Sequence, residues 1–187
     1  MGKMQRKGWP GGLIGALLAV IALEGVVARK DEHLTRPEAW TWRYSRWAAA
    51  AKAPGCDVLG FGTSMLQEGF FPRVVEQRTG RRSFNLAVGG GRTIYAYYFL
   101  RTALAAGARP SAVVIDVHPG FMAGTNYARQ TTGWSDVLGV GDCLDMAWTV
   151  RDASFLAATL SGKVLPSLRV RHTLRTAVVA ALEGREW

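Results

Sequence analysis

The chain has 187 residues, 49% of them hydrophobic, which suits one domain with a core plus a short additional segment at roughly 150 residues per domain and excludes wholesale disorder. Its formal charge is +9. The arginines are scattered singly (Arg43, Arg46, Arg73, Arg78, Arg101, Arg109), with clusters only at Lys3/Arg6/Lys7 and Arg169/Arg171/Arg175, so the basic stripe of a nucleic-acid binder is missing and no nucleic acid is expected as a partner.

Residues 1–28 carry the strongest local signal. Three positive charges precede Gly11–Ala28, which is apolar except for Glu24 and just long enough to cross a bilayer as a helix. Positive residues ahead of the span place the N-terminus in the cytoplasm and the rest of the chain on the extracytoplasmic side. Two outcomes fit: an uncleaved signal anchor, which is favoured, or a secretory signal cleaved after Ala28, since Val26-Val27-Ala28 offers small residues at the cleavage positions. The expected localisation is therefore a single-pass membrane protein, or a secreted or periplasmic one if cleavage occurs. Glu24 lies toward the end of the span, where a charge costs less than at the centre.

Residues 29–53 read as a juxtamembrane linker and helix. Thr35 and Glu38 have capping-box spacing, and Pro37 fits an early helical position. Trp40, Tyr44 and Trp47 recur at helical intervals as one packing face, against the domain or the membrane interface. Pro54-Gly55 ends the helix.

Residues 54–187 read as an α/β domain. Strand Asp57–Phe61 enters the turn Gly62-Thr63-Ser64-Met65, and a helix follows to about Gly80, interrupted near Pro72. Strand Ser83–Val88 enters Gly89-Gly90-Gly91 and a helix from Thr93 to Ala106, and strand Ala112–Val117 enters His118-Pro119-Gly120. Apolar strands alternating with helices predict a parallel sheet covered on both faces. The ligand crevice of such a sheet lies beyond the carboxyl ends of its strands, where all three turns would converge. Residues 121–135 read as loop, and Asp142–Leu160 and Pro166–Glu183 as helical.

Three segments, DVLGFGTSMLQEGFFP, FNLAVGGGRT and AVVIDVHPG, resemble in order and spacing blocks I, II and III of the SGNH/GDSL hydrolases, most closely the divergent, membrane-anchored cell-envelope type. The resemblance covers roughly residues 54–122. It implies a flavodoxin-like, three-layer sandwich, incomplete here because the family sheet has about five strands and this chain offers three. The remainder is expected to be missing or to come from a partner chain. The resemblance makes Ser64 the nucleophile of acyl transfer. The backbone N–H groups of Ser64 and Gly90 become oxyanion donors, with Gly89 and Gly91 as neighbouring alternatives. Implied substrates are an acylated envelope polymer or a small ester, with no cofactor and no metal.

The departures are as informative. Thr63 stands where the family has Asp, and the block III asparagine falls near Pro119 or Gly120, leaving His118 as a candidate polar site residue. No Asp-x-x-His occurs anywhere, and His33, His118 and His172 are the only histidines, so the general base has no counterpart. A non-catalytic binding or assembly module, and a gene fragment, remain as alternatives. Residue by residue, plainer readings also stand. Ser64 would serve as a helix N-cap, Gly89–Gly91 as a simple turn or a phosphate loop, and Asp116, read as lying on a central strand, as a buried organiser of the crevice, which is favoured, or as a catalytic carboxylate. Cys56 and Cys143 form no CxxC or Cys/His ligand pattern, and whether they pair as a disulfide depends on a distance that spacing does not give.

Overall fold

The structure, a computed structural model, describes residues 11–30, 37–91, 93–116 and 131–185. The chain divides into two compact units, residues 36–160 and residues 1–35 together with 161–187. The sheet domain thus begins ahead of the expected boundary at residue 54, taking in the helix assigned to a linker, and stops at Leu160.

In the 36–160 unit, α2 (Pro37–Ala51) leads through a short 3-10 turn (Ala53–Gly55) into β1 (Val58–Phe61). Next come α3 (Ser64–Gly69), α4 (Pro72–Thr79), β2 (Ser83–Asn85), α5 (Thr93–Ala105) and β3 (Ala112–Ile115). The three strands form a parallel sheet in the order β2-β1-β3, with Leu59 opposite Phe84 and Val113. β1 is therefore central. β3, which was read as central, is an edge strand among the described residues. The second strand is shorter than expected because the chain leaves the ladder after Asn85, although Leu86 N–H still donates to Gly60 O and Val88 N–H to Gly62 O. Pro72 splits the predicted helix into α3 and α4, because it supplies no N–H to an incoming turn and opens a new helix instead.

Side-chain alternation along β1 directs its two faces to different neighbours. Gly60 faces Leu66 and Phe70 of the α3 region. Leu59 and Phe61, both fully buried, join the main core with α2 and α5. β3 is different. All four of its residues are exposed, Val113, Val114 and Ile115 between 37% and 46%.

The core beyond the sheet is aromatic. Trp134 stacks on Tyr95 with ring centroids 4.0 Å apart, and Trp42 and Phe155 meet this pair edge-on. Such pairs add about 0.5–1.5 kcal/mol each beyond area burial. Trp134 lies on α6 (Thr131–Val137), inside the stretch expected to be loop; it has no sequence periodicity, and the aromatic cage around it supplies what local propensity lacks. The helix read as Asp142–Leu160 is two, α7 (Val140–Val150) and α8 (Ala153–Val164), broken at Arg151, whose φ of 53° is left-handed. On α2 the domain-facing residues are Trp42, Ser45, Ala48 and Ala49, whereas Trp40, Tyr44 and Trp47 stack along its exposed side. The aromatic stripe is therefore not the face that packs on the domain.

In the other unit, α1 (Gly11–Arg29) is a 19-residue helix long and apolar enough to cross a membrane. α9 (Pro166–Arg169) and α10 (Arg171–Leu182) follow α8, and α9 packs against α1.

Candidate active site at the carboxyl rim of the sheet

The first two predicted turns lie at the carboxyl end of the sheet, beside the end of β3, because parallel strands have aligned carboxyl ends; the third, at residues 118–120, lies outside the described residues. Direct contacts join the two turns and Asp116. A Cβ at Gly91 would lie 2.4 Å from Gly62 O, and a Cβ at Gly62 would lie 2.1 Å from Asp116 Oδ1. Only glycine admits these approaches. At the rim, residue 62 thus lies between the backbone of Gly91 and the carboxylate of Asp116.

Asp116, one residue past β3, organises the first turn. Its carboxylate accepts from Thr63 N–H (2.9 and 3.1 Å to the two oxygens), Thr63 Oγ1 (2.7 Å) and Leu66 N–H (3.1 Å). It thereby takes the structural role foreseen for it, from an edge strand rather than a central one. Thr63 in turn caps α3, accepting from Met65 N–H at 3.1 Å. The cap position is therefore Thr63, and the plainer reading of Ser64 as the N-cap fails. Ser64 is the first residue of α3 and is exposed. Its amide is one of the helix-start donors that no intrahelical carbonyl reaches.

Asn85 closes the other end of α3. Its Nδ2 donates to the carbonyls of Leu66 (3.0 Å), Gln67 (3.2 Å) and Phe70 (2.9 Å), and its Oδ1 accepts from Ala87 N–H. The short helix bearing Ser64 is thus clamped at both termini by groups from β2 and β3. Sequence spacing marked Asn85 only as a reference point for Gly90. Its clamping role had no signal in the sequence, since the partners are backbone carbonyls many residues away.

Gly90 lies in the second turn with a left-handed φ of 68°, and Gly91 N–H closes that turn onto Val88 O at 2.8 Å. The side chain of Gln67 on α3 borders Gly89. Ser64 and Gly90 therefore belong to turns brought together at one rim. His118 and His33 lie outside the described residues, and His172 falls on α10 in the other unit. Among the described residues no group of three or more His, Cys, Asp or Glu is gathered as metal ligands. Cys56 and Cys143 are not joined in a disulfide.

Away from the rim, Asp142 on α7 accepts from Tyr98 Oη (3.2 Å) and Gly139 N–H (2.9 Å) and pairs with Arg46 and Arg101. The bond to Gly139 is the carboxylate half of a capping box. Burial pushes the Tyr98 phenol up to about 12, helped by Asp142 and opposed by Arg46. An open apolar groove of about 620 Å³ runs between α7 and α8, lined by Leu144, Trp148, Arg151 and Leu156 among others, and contains none of the expected site residues. No protein-family model, no curated protein and no solved structure matches the chain.

Proposed function

We propose that the 36–160 unit is an SGNH-type serine hydrolase or acyltransferase domain of the three-layer sandwich kind, held at the extracytoplasmic face of a membrane by α1. The observation that carries this reading is the placement of Ser64, exposed at the start of a helix clamped at both ends, in the turn on which Gly91 and Asp116 pack. In this reading Ser64 Oγ attacks an ester carbonyl. Its proton passes to a base, and the Ser64 amide and the Gly89–Gly91 turn, with Gly90 as the assigned donor, receive the oxyanion. The alkoxide leaving group takes up the proton, and water or an acceptor hydroxyl then releases the acyl group from serine. The substrate would be an acylated envelope polymer or a small ester. With no Asp-x-x-His in the sequence, the base would come from a partner chain, and His118 remains the candidate polar neighbour. Full-length protein in detergent should label with a fluorophosphonate, and Ser64→Ala should abolish labelling. A folded sample that never labels, alone or with its co-purifying partner, removes this reading.

A second reading, a non-catalytic assembly module completed by another polypeptide, is favoured by β3. Ala112 and Asp116 donate their N–H groups toward β1, so by alternation those of Val113 and Ile115 face the edge that no strand among the described residues covers. Extracted from its native membrane, the chain would then run as a complex that Val113→Pro reduces to the lone chain and Ser64→Ala leaves intact. The opposite pattern rejects it.

A further inference from the structure

Glu24 is the one charge inside the apolar stretch of α1, and it is not left to the lipid. Its carboxylate accepts from Ser167 N–H at 2.9 Å and from the Ser167 hydroxyl. These bonds dock α9 on the span about 7.5 Å, five residues of helix, before its end at Arg29. In a bilayer-spanning α1 that point lies within the depth of about 5–10 Å at which interfacial helices seat their apolar faces. The next helix, α10, has its inner face part-buried or buried, at Thr173, Leu174, Ala177 and Ala180. Its outer face repeats at helical spacing and is exposed: Arg171 and Arg175 in the first half, then Val178 and Leu182, with Leu182 at 82% and Val178 at 58%. Val164 (76%) and Leu168 (40%) continue the exposed apolar surface at the end of α8 and on α9.

We infer that residues 164–182 form a second membrane contact, an interfacial element seated on an anionic bilayer through Arg171, Arg175, Val178 and Leu182, with Glu24 as the residue that positions it on the anchor. This rests on the reading of α1 as a membrane span. The occupant follows from the chemistry of the face and from its attachment. Basic residues followed by apolar ones suit phosphate headgroups and the acyl boundary beneath them, and the Glu24–Ser167 contact ties the segment to a helix that itself meets lipid. It also accounts for a carboxylate in a span, since such a group is tolerated where it finds donors.

The test uses the full chain in liposomes of phosphatidylcholine and phosphatidylglycerol, with Val178→Cys and Leu182→Cys each carrying an environment-sensitive fluorophore. Label on the unsubstituted chain supplies the Cys56 and Cys143 background. Carbonate extraction reads the anchor separately. The inference predicts a carbonate-resistant chain whose labels are quenched at least about twofold more by doxyl lipid than by aqueous iodide. It also predicts that Glu24→Leu raises label mobility while resistance to carbonate persists, and that Glu24→Gln, which keeps an oxygen acceptor, does not. A resistant chain with labels quenched by iodide, or quenched instead by labels on a second copy, overturns the inference and leaves the anchor standing. A chain released by carbonate overturns both.

Discussion

Thr63 donates both its N–H and its hydroxyl to the carboxylate of Asp116, 53 residues further along the chain. One side chain past the edge strand thereby fixes the turn that presents Ser64. The same carboxylate fills the space in which a side chain on Gly62 would sit, so the two positions are a single unit. Gly62→Ala should displace the carboxylate and Asp116→Ala should remove it, each costing about 1.5–3 kcal/mol, the range for hydrogen bonds to a charged group. Combining them should cost little more than either alone. Urea unfolding of the two single variants and the double variant checks this, and additive losses would show that the positions act independently.

Alkaline pH should weaken the 36–160 unit through Tyr98. Its phenol is held neutral, at about 12 against an ordinary 10.0, chiefly by burial. A group raised in the folded state contributes stability that is complete below the unfolded value and fades as pH climbs toward the folded one. Unfolding midpoints should therefore fall between pH 10 and about 12. Tyr98→Phe should remove this component of the fall while costing about 1 kcal/mol at neutral pH for the lost bond to Asp142. Spectroscopic titration of the tyrosines should find one that ionises late in the native chain and normally once it is unfolded.

At the acid end the relevant group is Asp152. Its carboxyl is held below the ordinary 3.8, first by the Ser154 hydroxyl; desolvation opposes this, and the amides of Phe155 and Ser154 add to it. Asp152 thus caps α8. A depressed carboxylate contributes stability that is present above the unfolded value and lost as pH falls through the folded one. Asp152→Ala should cost about 1 kcal/mol at neutral pH, as loss of an N-cap does, and the difference from the parent should shrink as pH falls below the ordinary 3.8. Paired unfolding curves at neutral and acid pH check it.

The two thiols should behave differently. Cys143 is fully buried, and Cys56 is half-buried with its thiol directed at Lys52 O. Burial, the largest influence, raises the Cys56 thiol above its ordinary value, with Arg82 opposing. Maleimide at neutral pH should modify Cys56 more slowly than a free thiol, because less thiolate is present. Cys143 should react only after unfolding, as mass spectrometry of timed samples would show. Rapid native labelling of Cys143 would contradict the packing.

Much of the fold was legible where the signal is local. The apolar stretch of α1, the two strand–turn–helix units, the third strand and the helix break at Pro72 each rest on residues within one or two turns of one another, and each lies where spacing put it to within a few residues. The glycines at 62 and 90–91 likewise announced themselves, because few other residues tolerate such turns. The outward stripe on α2 was legible as one face for the same reason, but which of its two expected neighbours it meets was not, and the structure removes the domain. Trp40, Tyr44 and Trp47 have the right spacing for one face, and periodicity groups residues on a face without saying which face meets the core.

What the amino-acid order determined by itself was the apolar first helix, the three strands, the first two turns and the helices beside them, since backbone preference and hydrophobic period act over a few residues. Only the tertiary structure decided that β3 lies at the edge, that Thr63 rather than Ser64 caps α3, that Asp116 and Asn85 grip that helix from two other strands, and that Glu24 reaches Ser167. Each of these joins groups separated by many residues or selects one of two equally patterned faces. Such choices are made when strands align and side chains compete for the same donors and space, after local structure has already been specified.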